Sequence, residues 1–384
     1  MKSIFKTYCF VFTVSIIVST VLFAAGDRAK GDILVGAYYY PWYKSGFKFA
    51  GIPVEQSNWD SAVRCHLTPE QTPKLGLYDS DKPSVISDHI AQSIRGGIDF
   101  WAISWWGPKS NSDNIFRDKI LTNPDASKLK YAVFYESTGR LGSLLQPGYI
   151  NFLPDIKYVA ENYFDNPNYL RIDGRPVIFI YLSREYFRSK ADDQLIKLRK
   201  MYPDIYIVGD DVFGEYYRAQ YALQFDAVTS CDVYGQSLKV EGPTQDAVKL
   251  LAKIYSQAQS AANTVGTGFV PAVTPGYNDR AVRKGNIPIA RYFRGVADSK
   301  EGDIFRAMLK DAGLPFVDPR AGNMLMVTSF NEWLEDTQIE ATSAGSAPTA
   351  QDDSGSHSHY TKNYIYTDYG YLYLDILAEM TSEK

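Results

Sequence analysis

Two glutamates three residues apart carry the chemistry that this sequence offers most clearly. Glu332 and Glu335 lie in the segment Ser329–Glu340, which follows Met324–Thr328, an apolar run typical of a buried strand. Trp333 stands between them. Paired carboxyl groups can move protons at a glycosidic bond, and an indole ring can stack on a pyranose. The segment therefore predicts an acid/base site for glycan chemistry, with Trp333 as a sugar platform.

Each acidic residue that is a candidate for the site also has a structural interpretation. Glu332 and Glu335 would suit the first turn of a helix, where acidic side chains favour the helix dipole, but the strand end and the tryptophan favour catalysis. Glu136 could contact substrate, or could cap a helix or pair with a cation. Glu340 is expected to support its loop. Asp210 and Asp211 are expected to cap a helix.

Strand-like runs alternate with helical stretches along the chain after residue 30. Eight strands are predicted, at Ile33–Tyr39, Ile98–Ser104, Lys130–Tyr135, Pro176–Tyr181, Ile205–Val208, Ala227–Ser230, Phe269–Val273 and Met324–Ser329. Eight helices are predicted, at Ser84–Arg95, Asn114–Leu121, Ile156–Tyr163, Asp192–Lys200, Glu215–Leu223, Gln245–Ala262, Asp303–Ala312 and Tyr371–Ala378.

This alternation predicts an α/β fold, a single (β/α)8 TIM barrel with elaborated βα loops that occupies residues 31–380. A doubly wound open sheet is the rival, but no Gly-x-Gly-x-x-Gly turn follows the first strand. Two connections are long, Pro41 to Pro83 and Ala341 to Thr361. The second directly follows the acidic segment, so it is either a lid over the cleft or a surface insertion.

In a barrel of this kind, active-site groups collect at the carboxyl ends of the strands. Acids and aromatic rings follow six of the predicted strands, whereas the strands themselves are apolar. A cleft lined by carboxylates and rings suits a glycan. The candidates are Tyr38, Trp105, Trp106, Glu136, Tyr234, Tyr277 and the glutamates of the last segment. One of Trp105 and Trp106 is expected in the core and the other in the cleft.

The N-terminal 25 residues differ from the rest of the chain. Lys2 and Lys6 precede an apolar run that ends in Ala24-Ala25-Gly26, the layout of a secretory signal peptide. The run is also long enough for an uncleaved membrane anchor. Cleavage predicts a secreted or periplasmic protein with no membrane contact. The oligomeric state is not predicted.

The rest of the composition limits the partners. Lys+Arg number 40 against 44 Asp+Glu, a formal net charge of −4, and loss of the two leader lysines makes the balance more acidic, which argues against nucleic acid. Cys65 and Cys231 could pair in an oxidising compartment, but two cysteines make no disulfide framework. No Cys/His cluster has the spacing of metal ligands.

Four motifs together resemble glycoside hydrolase family 99, which contains endo-α-mannosidases and endo-α-mannanases. They are Gly36–Tyr43 (GAYYYPWY), Gly97–Gly107 (GIDFWAISWWG), Pro275–Tyr277 (PGY) and Asn331–Glu340 (NEWLEDTQIE). The last is the most specific. Leu334 and Asp336 stand where the family usually has His and Gly. The core Glu-Trp-x-Glu is also similar to barrels described as lipopolysaccharide-synthesis proteins.

The resemblance implies a (β/α)8 barrel, no metal or other cofactor, and a retaining endo-acting hydrolase for α-mannoside-type linkages in an oligosaccharide or polysaccharide. It also implies that the sugar's own 2-hydroxyl attacks the anomeric carbon to give a 1,2-anhydro sugar. Glu332 then matches the base for the 2-hydroxyl, and Glu335 the acid/base for the leaving oxygen. Glu136, Tyr38, Trp106, Tyr234 and Tyr277 would line the subsites.

The stereochemistry is consistent with that route, because the 2-oxygen of an α-mannoside is anti to the leaving group. Two glutamates one helical turn apart could then reach different oxygens of one sugar, whereas an acid and a direct nucleophile would stand about 5 Å apart across the bond. The alternatives are a related glycan-processing barrel for another polysaccharide and a glycan-binding protein without turnover.

Overall fold

The computed structural model describes residues 33–44, 58–187, 192–234 and 242–382. The predicted leader lies outside the described residues. Eight barrel strands occur in this part of the chain, and an α-helix follows each of them except the fifth. The strands are β1 (Leu34–Tyr39), β2 (Phe100–Trp105), β3 (Lys130–Tyr135), β4 (Arg175–Ile180), β5 (Tyr206–Asp210), β6 (Ala227–Thr229), β7 in two segments (Gly268–Phe269 and Ala272–Val273) and β8 (Met324–Val327).

The longer helices cover the outside of this sheet. They are α1 (Pro83–Arg95), α2 (Asn111–Ile115), α3 (Phe152–Val159), α4 (Asp192–Met201), α5 (Gln245–Thr264), α6 (Asp303–Met308) and α7 (Leu372–Ser382). One turn of π-helix continues α2, α3 and α6, at Phe116–Ile120, Ala160–Phe164 and Leu309–Gly313 respectively. Short helices also occur at Ser137–Arg140 and Ser183–Tyr186.

The barrel strands are parallel, and their pairing runs from β6 through β5, β4, β3, β2 and β1 to β8. The two segments of β7 close the ring. Gly268–Phe269 pairs with β6, and Ala272–Val273 pairs with β8. Pro271, between them, has no N–H to donate, but its carbonyl accepts from the backbone N–H of Met326 (2.9 Å). The predicted (β/α)8 barrel is confirmed.

Aromatic and aliphatic side chains fill the barrel interior, which explains the apolar strand sequences. The Tyr38 ring lies 4.7 Å from the Phe134 ring, centroid to centroid, and 6.3 Å from that of Phe179. Gly36 on β1 leaves room for this packing. A Cβ at Gly36 would lie 2.1 Å from the Phe100 ring.

One predicted helix is wrong. The segment expected as Glu215–Leu223 contains only a single 3-10 turn, Ala219–Tyr221, and Tyr216 within it is exposed. Gly214 and the polar residues around it give this connection no continuous apolar face to bury, so nothing compensates the cost of ordering a helix. The remaining predicted helices are present, with bounds that shift by a few residues.

The connection Ala341–Thr361 is tied to the rest of the molecule. Residues Leu67 and Pro73, in the long connection after β1, bridge to Asp352 and Thr342. The Asp352 carboxylate, which is buried, accepts from the backbone N–H groups of Tyr360 (2.7 Å) and Thr361 (2.8 Å). These contacts favour the surface insertion over the lid.

Cys65 and Cys231 are both free thiols, so the disulfide that the sequence allowed is not formed. No helix in the described part of the chain combines the length and the apolar character needed to cross a membrane.

Candidate active site

The acidic segment after β8 is a series of tight turns rather than the helix considered from the sequence. The Ser329 hydroxyl accepts from the backbone N–H of Glu332 (2.8 Å), and the Asp336 N–H donates to the carbonyl of Trp333 (3.3 Å). Asn331 fixes the segment to the end of β1, because its side chain donates to the carbonyl of Tyr40 (3.0 Å) and accepts from the N–H of that residue (2.8 Å). Glu332 and Glu335 are thus carried on one anchored turn.

Glu332 is the deeper of the two glutamates, with 4% of its surface exposed. Its Oε1 accepts from the Tyr43 hydroxyl (3.1 Å) and from the backbone N–H of Leu334 (2.9 Å). Its Oε2 is buried and has no hydrogen-bond partner among the described residues. Burial raises the pKa of Glu332 well above its usual value, and the neighbouring charge of Glu335 raises it further. When it is ionised, Glu332 is therefore a stronger base than an exposed carboxylate.

Glu335 lies nearer the surface, with its side chain 27% exposed. The Tyr234 hydroxyl donates to Oε2 (2.9 Å), and Nη1 of Arg283 donates to Oε1 (3.0 Å). Tyr234 follows β6, and Arg283 lies in the connection after β7. Three successive barrel strands therefore supply the groups that meet at this carboxylate.

Glu136 follows β3 and is buried. The Ser104 hydroxyl, at the end of β2, donates to its Oε1 (2.6 Å). Burial raises the pKa of Glu136 to about 7; the Ser104 hydrogen bond lowers it and the charge of Glu335 raises it. Glu335 and Glu136 also both raise the pKa of Glu332. The structure thus brings the three predicted acids into one electrostatically coupled group.

Aromatic side chains border this group on two sides. Tyr234 and Tyr277 stack with ring centroids 3.9 Å apart. On the other side Trp106 is 38% exposed, with its ring centroid 6.2 Å from that of Trp42, whereas Trp105 is fully buried. Trp106 Nε1 also donates to the Ser104 hydroxyl (3.0 Å), which links its ring to Glu136. Trp106 therefore offers an accessible indole beside the acids.

Two residues expected to contact sugar are instead completely enclosed, whereas Tyr234 and Tyr277 are largely buried but lie beside Glu335. The Tyr38 ring is enclosed among the barrel strands, and the Trp333 ring is enclosed behind the acidic turn, where its Nε1 donates to Oε2 of Glu340 (2.8 Å). Neither ring has a face open to solvent. Trp333 supports the turn by packing, which corrects the expectation that it is a sugar platform, and Tyr38 belongs to the core rather than to a subsite. Glu340 has the structural role expected for it.

The structure adds residues that sequence reasoning missed. Tyr43 lies in the first motif, and only the structure shows that its hydroxyl donates to Glu332. Arg283 is one of 40 basic residues, and only the fold brings it to Glu335. Beneath the turn, buried Arg64 and Arg291 donate to Oδ1 of Asp336 at 2.6 and 3.2 Å.

Asp210, expected as a helix cap, instead joins the ends of two connections. Its carboxylate accepts from the backbone N–H groups of Leu182 (3.0 Å) and Cys231 (2.5 Å). Burial raises the pKa of Asp210 to about 8, although these two hydrogen bonds lower it.

Among the described residues, no group of three His, Cys, Asp or Glu side chains could hold a metal ion.

The model of glycosyl hydrolase family 99 matches residues 36–376, nearly all of the described barrel. The chain belongs to glycosyl hydrolase family 99. It is therefore a glycoside hydrolase, as the sequence predicted, and the low identities below indicate a divergent member of family 99.

Two curated relatives carry the name glycoprotein endo-alpha-1,2-mannosidase. The mouse protein is 25% identical over 350 residues, which span 79% of this chain and 67% of the relative. The Xenopus laevis protein is 24% identical over 350 residues, which span 79% of this chain and 69% of the relative. The solved structure of the GH99 endo-alpha-mannosidase from Bacteroides thetaiotaomicron shares the fold, with a TM-score of 0.59, 20% identity, and coverage of 91% of this chain and 96% of that one.

Proposed function

We propose that this family 99 member is a retaining, endo-acting hydrolase of α-mannoside-type linkages. Membership of the family and the names of its relatives support the reaction class and the sugar. The observation that carries the proposal is the arrangement of two unlike carboxyl groups on one turn. Glu332 is deep, is strongly basic when ionised, and has an Oε2 without a hydrogen-bond partner among the described residues, whereas Glu335 lies nearer the surface with both oxygens bonded.

In the first step that we propose, Oε2 of Glu332 takes the proton of the sugar 2-hydroxyl. The 2-oxygen then attacks the anomeric carbon from the face opposite the leaving group, and a 1,2-anhydro sugar forms. Glu335 gives its proton to the departing glycosidic oxygen. The reactive form of the pair has one proton, held by Glu335, with Glu332 ionised. The raised pKa of Glu332 favours the reverse placement in the free protein, so substrate binding must move the proton to Glu335.

In the second step, water attacks the anomeric carbon and Glu335 takes the proton of that water. The bond from the anomeric carbon to the 2-oxygen breaks, and the 2-oxygen recovers its proton from Glu332. Two inversions at one carbon give net retention, and the carboxyl pair returns to its starting state. No covalent bond to the protein is needed, which suits a Glu332 that is fixed by Tyr43 and the Leu334 N–H.

Glu136 and the aromatic groups are assigned to substrate binding in this proposal. Trp106 presents an exposed ring face for stacking, and the Tyr234–Tyr277 stack borders Glu335 on the leaving-group side. The pKa of Glu136 is about 7, so near neutral pH it can either accept a hydrogen bond from a sugar hydroxyl or donate one to it.

We also propose that residues 1–25 are a secretory leader, which N-terminal sequencing of the mature protein from its native host would test.

The test is a substrate panel with the stereochemistry of the product recorded. Purified protein is incubated with yeast mannan, high-mannose oligosaccharides and other α-linked polysaccharides, and Glu335→Gln is the inactive control. We expect cleavage inside an α-mannoside chain, with the α-anomer of the new reducing end formed first in proton NMR. First formation of the β-anomer would overturn the mechanism, and tight binding without cleavage would indicate a glycan-binding protein.

A further inference from the structure

We infer that Arg283 is a positioning residue that controls the protonation of Glu335 and leaves its Oε1 when the leaving-group sugar binds. This inference rests on the proposed function of Glu335 as the acid. It starts from the finding that both oxygens of Glu335 are already occupied, Oε1 by Arg283 (3.0 Å) and Oε2 by Tyr234 (2.9 Å).

A guanidinium has five N–H donors and no acceptor. While Nη1 of Arg283 donates to Oε1, a proton on that oxygen would point at the N–H of the guanidinium, so Oε1 must stay unprotonated. The contact therefore favours the ionised carboxylate, whereas a general acid must be protonated. A tyrosine hydroxyl differs, since it can donate to a carboxylate or accept from a carboxylic acid. Of the two partners, only Arg283 prevents protonation of the carboxyl oxygen that it contacts.

The two partners also differ in their freedom to move. Tyr234 is buried and stacks on Tyr277 with centroids 3.9 Å apart. The Arg283 side chain is 56% exposed. Its Nη1 also donates to Oδ2 of Asp279 (2.8 Å), a residue that lies four positions earlier in the same connection. Arg283 can thus leave Glu335 and keep its pairing with the buried Asp279.

Among the described residues, the other ionisable groups around Glu335 add no positive charge. Apart from Arg283 they are acids, phenols and a thiol, contributed by the connections after six strands: Tyr40, Glu136, Tyr181, Cys231, Tyr234, Tyr277, Asp279 and Glu332. Departure of Arg283 takes away the cation that contacts Oε1 of Glu335, so that oxygen becomes free to carry a proton. The proton that the reaction needs is then retained where the leaving oxygen arrives.

The decisive variant is Arg283→Gln, compared with the wild type and with Arg306→Gln. Arg306 is a matched control, because it is also a half-exposed arginine in an ion pair, with Glu379 on α7, away from the site. We expect the basic limb of the kcat/KM profile for an oligosaccharide substrate to move up by about half a pH unit in Arg283→Gln. An aryl glycoside with an activated leaving group needs little acid assistance, so its basic limb should move less.

A uniform loss of activity at every pH, with both limbs unmoved, would overturn the inference and leave Arg283 a merely structural residue. A second readout does not depend on turnover. In carbon-13-labelled protein, the carboxyl signal of Glu335, identified by its absence from Glu335→Gln, should titrate about half a pH unit higher in Arg283→Gln than in wild type.

An unchanged titration would also overturn the inference, even in a protein that hydrolyses mannosides. The opposite result, a shifted titration in a protein that cleaves no α-mannoside, would support the control of Glu335 by Arg283 and overturn the proposed function alone.

Discussion

The hydroxyl of Tyr43 joins the carboxyl group of Glu332 to the backbone of its own turn. It donates to Oε1 of Glu332 (3.1 Å) and accepts from the backbone N–H of Trp333 (2.7 Å), across 289 residues of sequence. One buried oxygen thus fixes both the carboxyl group and the peptide that carries it. Such a hydrogen bond to an ionised group contributes about 1.5–3 kcal/mol.

Tyr43→Phe is therefore expected to lower kcat/KM by roughly 10- to 100-fold, because Glu332 loses a donor and the Trp333 N–H is left unpaired. The fall should appear in kcat more than in KM. Steady-state kinetics on the best oligosaccharide substrate would measure it. Tyr255→Phe is the matched control, since that buried hydroxyl donates to the carbonyl of Ala272 (2.9 Å) away from the site. An equal loss of activity in both variants would contradict the assignment.

Different leaving groups should separate the roles of the two glutamates. Glu335→Gln removes the proposed proton donor, so hydrolysis of sugars with an alcohol leaving group should fall by at least about 100-fold, while an activated aryl leaving group is affected much less. Glu332→Gln should slow both substrates, because the 2-hydroxyl must lose its proton in either case. Binding of an oligosaccharide, measured by calorimetry, should survive in Glu335→Gln.

Equal sensitivity of both variants to the leaving group would show that the two roles are not divided in this way. Unchanged turnover in Glu335→Gln would remove that residue from the acid/base role.

The raised pKa of Glu136 predicts a pH-dependent cost to stability. Its value is about 7 in the folded protein against an ordinary 4.5. Between these values the folded chain holds a proton that the unfolded chain has lost, so stability falls as pH rises through this window. Glu136→Gln cannot ionise and lacks this fall. At about pH 8 the variant should be more stable than the wild type by up to about 3 kcal/mol, and at about pH 4.5 it should not.

Urea denaturation at the two pH values would measure this difference. Glu161→Gln, at an exposed position, is the control and should behave like the wild type at both. A Glu136→Gln difference that is equal at both pH values would show that folding does not raise the pKa of Glu136.

A glycine substitution at Asp336 would change the stability of the fold in two opposite ways. It would relieve backbone strain, and it would remove a buried carboxylate from two ion pairs. The φ of Asp336 is +52°, a conformation that costs a non-glycine residue about 1 kcal/mol. Its carboxylate is the partner of buried Arg64 and Arg291, and removal of one partner from a buried ion pair costs about 3–5 kcal/mol. Asp336→Gly should therefore destabilise the protein by about 2–4 kcal/mol in a denaturant titration.

Asp173→Gly is the matched control, because Asp173 has a φ of +50° but is exposed. It should be neutral or slightly stabilising. A stabilising effect of Asp336→Gly would mean that backbone strain outweighs the ion pairs.

The sequence predicted the barrel well because each strand is a local apolar run, and it predicted that Glu136, Glu332 and Glu335 lie together because each follows such a run. Sequence patterns did not predict the role of a side chain where that role depends on residues far away in the chain. Trp333 resembles a sugar platform until the packing of Trp59 against it is known. Arg283 reaches Glu335 only because β7 and β8 are neighbours in the sheet. No local pattern distinguishes it from other arginines.

The anchoring of the Ala341–Thr361 connection by Asp352 also matters for protein engineering. The N–H groups of Ser354, Tyr360 and Thr361 all point to that one carboxylate, while Gly355 and Ser356 at the tip are exposed. A peptide tag or fluorophore inserted between Gly355 and Ser356 would thus leave the anchor intact. This tip offers a place to immobilise or label the enzyme without altering the turn that bears its glutamates.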